Sequence, residues 1–377
     1  MGYDGLTVVD IDAHYMEDIR QFSAYLEEPY KTRIAGWSGK YLLPLAPGQQ
    51  YDVMLHGHVR RTPAGSDDLG ETFGLQSPED IPRAMRRLGI DYIVLIPSYM
   101  LTLASVQNRE HAVVVCDGFI NYMLERCVDP ANGIYTSLVA PIQDPERAAE
   151  LIYRYGADDA VCAVTIPTGG HPPMGSHIYD PIYRAASDLK LPVIFHADFK
   201  GPDGSDFQKF PRWLEAHALD MVFTVAISMT SVIIEGLPER FPDLRFVFEE
   251  AGVMWAPAIL ARLDTEYLRR REDAPLLDRL PSEYLGDRVF IGSQPIETTR
   301  MSHLKATFEM LDAGRSLMFA SDWPHYDYDE PCAVADLPFL DETARRNIMG
   351  ETALRVFRFN GTAPADPRAA AEDVLSK

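Results

Sequence analysis

The sequence is poor in cysteine and in basic residues. Its 377 residues include four cysteines, at positions 116, 127, 162 and 332, and no two of them are spaced as Cys-x-x-Cys. Lys and Arg together number 35 against 56 Asp and Glu, which gives a formal net charge of −21. Scattered cysteines are typical of reduced thiols in a cytoplasmic protein. The excess of negative charge argues against a nucleic-acid partner, because it would repel phosphate.

The sequence also lacks a long apolar run and the common nucleotide-binding and nucleophile-bearing loops. Its most apolar run, residues 221–229, covers at best half a membrane span. Residues 1–6 show no basic segment followed by an apolar one, so we expect no secretory signal. No Gly-x-Gly-x-x-Gly, Walker or Gly-x-Ser-x-Gly loop is present. We therefore expect a soluble, cytoplasmic protein with no membrane partner.

Short apolar runs alternate with segments of helical period along most of the chain. The runs predict eight β-strands, at residues 6–12, 91–97, 134–140, 160–167, 191–196, 244–249, 288–293 and 317–322. Between them, helical period and capping residues predict helices such as 145–155, 181–189 and 341–357. Eight β-then-α units predict an α/β fold in which a parallel sheet closes into a (β/α)8 TIM barrel.

The lengths between these units predict how the chain is organised. We expect one domain over residues 1–360 and a C-terminal tail at 361–377. Residues 15–90 are far more than one crossover helix requires, so they form a long insertion after strand 1. The insertion either caps the active site or packs on a partner subunit. Residues 210–240 are predicted to be mostly helix, although 221–227 would also suit a strand.

Metal-competent side chains follow the ends of four predicted strands. They are Asp12 and His14 at the first strand, His196 and Asp198 at the fifth, Glu249 and Glu250 at the sixth, and Asp322 at the eighth. Asp12 and His14 are two residues apart, so on an extended strand they project from the same face. Because barrel closure brings distant strand ends around one axis, the set predicts a divalent-cation site. Taken singly, each residue could instead be a cap or a buried polar contact.

Five segments form a recognisable set. They are Asp-Ala-His-Tyr-Met-Glu at 12–17, Leu-Pro-Val-Ile-Phe-His at 191–196, Phe-Glu-Glu-Ala-Gly at 248–252, Ser-Gln-Pro-Ile-Glu at 293–297 and Ser-Asp-Trp-Pro-His at 321–325. Together they resemble the amidohydrolase superfamily, in its branch of decarboxylase-like, metal-dependent barrel enzymes. The resemblance implies that Asp12, His14, His196 and Asp322 bind the metal. It also implies that Asp322 is the base that activates water or takes a substrate proton.

The sequence departs from the better-known decarboxylases of this branch. Glu250 stands where many of them have a histidine, and Glu17 adds an acid close to His14. The candidate metal ligands are therefore Asp12, His14, Glu17, His196, Glu250 and Asp322. So many carboxylates favour manganese or iron over zinc, and a dinuclear site stays open. The candidate catalytic residues are Asp322, Glu250 and His217, which lies on the helix after strand five.

Three further histidines are candidates for contact with substrate. His171 and His177 follow strand four on the expected active face, and the alternative for each is a position on the surface. His325, just after Asp322, either contacts substrate or holds the Asp322 carboxylate in place. His56 and His58, in the insertion, are expected to face solvent or an interface.

Three functions are open at this point. The first is a metal-dependent hydrolase or non-oxidative decarboxylase that acts on a small carboxylated or aromatic compound. The second is a dinuclear iron, or manganese–iron, oxygenase on the same barrel, which Glu17 and Glu250 favour. The third is a partner subunit that keeps the barrel and the metal for structure. The resemblance implies an oligomer, either of identical chains or with a homologous subunit.

Overall fold

Eight parallel strands form the centre of the molecule. The computed structural model describes residues 3, 5–35, 75–170, 172–197, 210 and 212–359. The strands pair in sequence order. They are β1 (Val9–Tyr15), β2 (Tyr92–Pro97), β3 (Ile134–Val139), β4 (Val161–Pro167), β5 (Val193–His196), β6 (Phe246–Glu249), β7 (Val289–Gly292) and β8 (Leu317–Met318). Ala13 bridges Trp323, just after β8, so the sheet closes and the predicted (β/α)8 barrel is confirmed.

Helices connect the strands. The described α-helices are Ile19–Phe22, Tyr30–Ala35, Asp80–Leu88, Arg109–Arg126, Pro145–Tyr155, Asp180–Asp188, Trp213–Ile234, Leu237–Arg240, Trp255–Arg269, Met301–Leu311, Ala313–Ser316, Cys332–Ala335, Glu342–Arg346 and Thr352–Val356. The helix predicted at 145–155 has those bounds, and its cap Asp144 accepts a hydrogen bond from the Arg147 amide at 3.3 Å. The segment predicted as one helix at 341–357 is interrupted by a π-helical turn over Asn347–Glu351.

The longest described helix, Trp213–Ile234, lies within the segment predicted as helix at 210–240. By length and composition alone, Leu214–Ile234 could cross a membrane, although half of its most apolar window is buried inside the protein. The helix contacts β5, β6 and the helix Trp255–Arg269. Those contacts are the ones expected of a helix that covers a barrel strand, and they bury part of its apolar surface, although Leu214, Phe223 and Ile227 are exposed.

The lower part of the barrel is filled with apolar side chains. Val9, Ile11, Ile194 and Val247 belong to one buried cluster that also includes Phe357, from the end of the chain's described part. A second and larger cluster lies between the strands and the helices. The strand starts are therefore sealed, and polar side chains gather at the opposite ends of the strands, where active sites of this fold lie.

An extra residue in β1 changes which side chains face inwards. Asp10 pairs with Ile93 and Ala13 with Leu95, so three steps along β1 match two steps along β2, which is a β-bulge. After the bulge, Asp12 and His14 face the barrel centre, whereas Ala13 and Tyr15 pack in the outer cluster. The strand predicted at 6–12 therefore continues to Tyr15, and the whole Asp-x-His pair lies within it.

Part of the insertion after β1 is described. It includes the short helices Ile19–Phe22 and Tyr30–Ala35 and, nearer to β2, the helix Asp80–Leu88. Residues 36–74, with His56 and His58, and the tail 361–377 lie outside the described residues. The two alternatives for residues 15–90, that they cap the active site or that they pack on a partner subunit, stay predictions.

Candidate metal centre

Two imidazole nitrogens and two carboxylate oxygens converge at the C-terminal ends of the strands. Nε2 of His14 lies 3.1 Å from Oδ1 of Asp12, 3.0 Å from Oδ1 of Asp322 and 3.2 Å from Nε2 of His196. Nε2 of His196 lies 3.3 Å from the same Asp12 oxygen. All four side chains are completely buried. The barrel therefore brings together residues from β1, from β5 and from the end of β8.

These four atoms fit a divalent cation. Ligand atoms about 2.1 Å from a shared ion lie about 3.0–3.4 Å from one another at ordinary coordination angles. Neither oxygen of Asp12 has a hydrogen bond of good geometry among the described residues, and Nδ1 of His14 has none either. Buried polar atoms without partners are costly, so the unpaired carboxylate of Asp12 points to an ion that would satisfy it.

The backbone is unusual where two of the acids leave their strands. Glu250, directly after β6, has φ 60°, and Asp322, after β8, has φ 58°. Such left-handed conformations are uncommon outside glycine and persist where the surroundings hold them. The Asp322 amide donates to the Asp12 carbonyl at 2.8 Å, and Ser321 donates to the carboxylate of Asp10 from both its amide and its hydroxyl. These contacts lock the end of β8 onto β1.

A second group of metal-competent side chains adjoins the first. His14, Glu250, Asp322 and His325 each offer a ligand atom within 4.8 Å of the others, as do Asp12, His14 and His196. Nδ1 of His325 lies 2.6 Å from Oδ1 of Asp322, and its Nε2 lies 3.0 Å from the Ser98 hydroxyl. The two groups share His14.

Glu250 also contacts His196. Its Oε2 lies 3.3 Å from Nδ1 of His196, which lies 2.8 Å from the Ala197 carbonyl. A ring nitrogen held in this way leaves Nε2 to face the cluster, as histidine ligands usually do. The predicted ligand Glu250 therefore has a position from which it can bind a metal or orient His196.

The two groups together hold three carboxylates, of Asp12, Glu250 and Asp322, and three imidazoles, of His14, His196 and His325. Burial raises the pKa of Glu250 and of Asp322 well above the ordinary values. Burial would also raise the pKa of Asp12, but the neighbouring His196 and His14 hold it below its ordinary value. Burial would lower the pKa of both histidines, and the charge of Asp12 raises it instead. Histidines bind a metal in their neutral form, so the three buried carboxylates would then need a positive charge, which a bound divalent cation supplies.

Glu17 lies outside both groups. Its carboxylate accepts hydrogen bonds from the Ser98 amide at 2.9 Å and the Met100 amide at 2.5 Å. Glu17 therefore anchors the 3₁₀ segment Tyr99–Ser105 that follows β2. Burial raises its pKa to about 7, although these backbone amides act in the opposite direction. Its predicted role as a metal ligand stays a prediction.

The other candidate side chains do not join the buried groups. His217 lies on the helix Trp213–Ile234, where its Nδ1 is 3.2 Å from the Tyr326 hydroxyl and its Nε2 is 3.5 Å from Asp327. His177 is exposed and pairs with Asp180 at 3.1 Å. His171 and Asp198 lie outside the described residues. The catalytic role of His217 and the substrate contacts of His171 and His177 stay predictions.

Sequence reasoning missed two buried polar residues around the cluster and the surroundings of a third. Asp10 pairs with Ser321, as described above, and Gln294 donates to Oδ2 of Asp322 at 3.1 Å. Glu249 was noted at its strand end, but the state of its side chain was not expected. It is fully buried, and neither of its oxygens has a hydrogen bond among the described residues. These contacts join residues far apart in sequence, so no local pattern signals them.

Comparison with known proteins adds a family and several relatives. Residues 9–359 match the amidohydrolase family. A curated relative, the gamma-resorcylate decarboxylase of Rhodococcus jostii, is 22% identical over 273 residues, which cover 68% of this chain and 80% of the relative.

Two solved structures illustrate the likeness in fold. An amidohydrolase from Mycobacterium avium subsp. paratuberculosis superposes with a TM-score of 0.69 at 20% identity, over 93% of this chain and 98% of its own. A 5-carboxyvanillate decarboxylase from Novosphingobium aromaticivorans, solved in complex with manganese, superposes with a TM-score of 0.64 at 16% identity. That alignment covers 94% of this chain and 97% of the decarboxylase.

Proposed function

This chain belongs to the amidohydrolase family, and from that membership we propose that it is a metal-dependent enzyme that removes a carboxylate, without oxidation, from a small aromatic compound. The observation that carries the proposal is the convergence of His14, His196, Asp12 and Asp322, with contact distances of 3.0–3.3 Å. The names of the relatives, decarboxylases of gamma-resorcylate and 5-carboxyvanillate, support decarboxylation over hydrolysis. Hydrolysis of a related compound is the alternative within the family.

Asp12, His14, His196 and Asp322 would hold the cation. The cation would supply the positive charge that draws a substrate carboxylate into an acidic site. Manganese is the proposed metal, because carboxylate oxygens are half of this set and the decarboxylase named above was solved with manganese. A second cation beside Glu250 and His325 is the dinuclear alternative, supported by the second group of side chains.

The protein's own residues would then hold one proton and transfer it to the substrate. When the carbon–carboxylate bond breaks, carbon dioxide leaves and its electron pair stays on the ring carbon, which must take a proton. Asp322 and His325 form a close pair, with Nδ1 of His325 2.6 Å from Oδ1 of Asp322, and this pair would hold that proton and deliver it.

Metal analysis and two assays test this proposal. The chain is stripped with a chelator, reloaded with manganese and assayed for carbon dioxide release from gamma-resorcylate and 5-carboxyvanillate. We expect release that depends on manganese and that Asp322→Asn abolishes while the chain stays folded. No manganese binding, or full activity of Asp322→Asn, would contradict the proposal. The oxygenase alternative has no support from the relatives, and it predicts oxygen consumption, which is measured in the same samples.

A further inference from the structure

Gln294, two residues past the end of β7, contacts the oxygen of Asp322 that lies away from the histidines. Its Nε2 donates to Oδ2 of Asp322 at 3.1 Å, whereas Oδ1 of Asp322 lies 3.0 Å from His14 and 2.6 Å from His325. Gln294 and Asp322 are both completely buried. The two oxygens of Asp322 therefore have separate partners, an amide on one side and the metal-competent cluster on the other.

The orientation of the Gln294 amide follows from its partners. Nε2 also donates to the Asp327 carbonyl at 3.3 Å, so both of its neighbours are acceptors. Only the nitrogen end of the amide can face two acceptors, so Oε1 must point elsewhere. Oε1 has no hydrogen bond among the described residues. The two hydrogen bonds donated by Nε2 therefore define what this side chain does.

The backbone around Gln294 is tied to the loops on both sides. Its carbonyl accepts from the Gly252 amide, after β6, at 3.0 Å. The Ile296 amide donates to Oδ2 of Asp329 at 2.7 Å, and the Asp329 amide donates to the Ser321 carbonyl at 2.8 Å. The loop after β7 is thus held between the loops after β6 and β8, and the amide of Gln294 has a defined place beside Asp322.

We propose that Gln294 is a positioning residue that keeps Oδ1 of Asp322 aimed at the cation, and that the affinity of the chain for manganese depends on it. This inference rests on the proposed metal site. Without the amide, Oδ2 of Asp322 is buried and unpaired, and the carboxylate can rotate about its terminal torsion to seek another donor. Side chains that hold a metal ligand in this way commonly change metal affinity by about 10–100-fold when they are replaced.

Gln294→Met tests the inference, because methionine keeps the length of the side chain and removes its donors. Manganese is titrated by calorimetry into the full-length, metal-stripped chain. We expect about 10–100-fold weaker binding at unchanged stoichiometry. The matched control is Asn121→Leu, which also keeps the size of the side chain and removes its donors. Asn121 donates from Nδ2 to the Asp117 carbonyl at 2.8 Å and the Tyr155 hydroxyl at 2.7 Å, and neither partner belongs to the metal-competent groups. We expect this control to bind manganese like the wild type.

Urea unfolding of both variants, without metal, separates positioning from general damage. Equal weakening of manganese binding by Gln294→Met and Asn121→Leu would overturn the inference, and so would wild-type binding by Gln294→Met. If the wild type itself binds no manganese, the proposed function fails and this inference fails with it. If Gln294→Met does not fold, Gln294→Glu replaces it. The carboxylate oxygens introduced by Gln294→Glu would face two acceptors, so at least the same loss is expected, and wild-type affinity would again overturn the inference.

Discussion

At the scale of the residue, Glu249 is a buried acid. Neither oxygen of its carboxyl has a hydrogen bond among the described residues. Glu249 ends β6 opposite His196, and its Cγ lies 3.2 Å from where a Cβ on Gly292 would stand. Burial, with Asp12 and Asp10 nearby, raises its pKa well above the ordinary value. Glycine at 292 makes room for a carboxyl that has no hydrogen bond there. Such a group lowers the stability of a fold.

We expect Glu249→Met to stabilise the metal-free chain by about 1–3 kcal/mol, since an unpaired buried polar group costs about that much. The measurement is the free energy of unfolding in urea. Glu297→Met is the matched control, because the carboxylate of Glu297 accepts from the Val253 amide at 3.1 Å and the Met254 amide at 3.2 Å. The control should lose stability. A loss of stability in Glu249→Met as well would mean that its carboxyl has a partner in solution.

At the scale of an element, the 3₁₀ segment Tyr99–Ser105 depends on contacts from other parts of the chain. Glu17 accepts from the amides of Ser98 and Met100, and Gln143 donates to the carbonyl of Leu103. The segment follows β2 at the same end of the barrel as the cluster, and the Ser98 hydroxyl contacts His325. An anchor of this kind keeps a loop beside the site in one conformation.

Glu17→Gln tests whether Glu17 anchors this segment or binds the metal. A glutamine can accept only one of the two amide hydrogen bonds with its oxygen, and its nitrogen would face the other donor. We therefore expect about 1–3 kcal/mol lower stability, with manganese stoichiometry unchanged. Urea unfolding and metal analysis measure the two quantities. A variant that keeps its stability and loses manganese would instead support the ligand role predicted from the sequence.

For the whole molecule, the dependence of stability on pH includes carboxyls outside the cluster, such as that of the partly buried Asp329. Burial raises the pKa of Asp329 from 3.8 to about 7, although the hydrogen bond from the Ile296 amide acts to lower it. The folded chain thus holds this proton more tightly than the unfolded chain. The stabilisation from this proton is complete below about pH 4 and is lost as the pH rises through about 7.

Asp329→Asn should therefore weaken the dependence of stability on pH. Asparagine keeps an acceptor for the Ile296 amide and needs no proton. In urea unfolding of the metal-free chain at pH 5 and pH 8, we expect the wild type to lose more stability on going to pH 8 than the variant does. Identical losses in the two chains would show that the Asp329 carboxyl does not take up a proton on folding.

Most of the fold could be predicted because its signals are local. All eight strands lie where apolar runs lie in the sequence, and the helix at 145–155 has the bounds that its cap and its period predict. Most errors lie at the ends of elements, and the helix predicted at 341–357 is also interrupted by a π-helical turn. β1 runs past Asp12 because a bulge and pairing with β2 extend it, and β8 is reduced to Leu317–Met318. Hydrogen-bonded pairing with neighbouring strands sets where β1 and β8 end, and the sequence of a single segment does not show that pairing.

The sequence by itself determined the barrel and the meeting of Asp12, His14, His196 and Asp322, because strand ends of a closed parallel sheet share one rim. Only the tertiary structure decided how the remaining acids are used. Glu17 reaches the amides of another loop, Glu250 reaches His196, and Gln294 reaches Asp322. Those outcomes depend on side-chain directions across loops, which residue spacing does not encode.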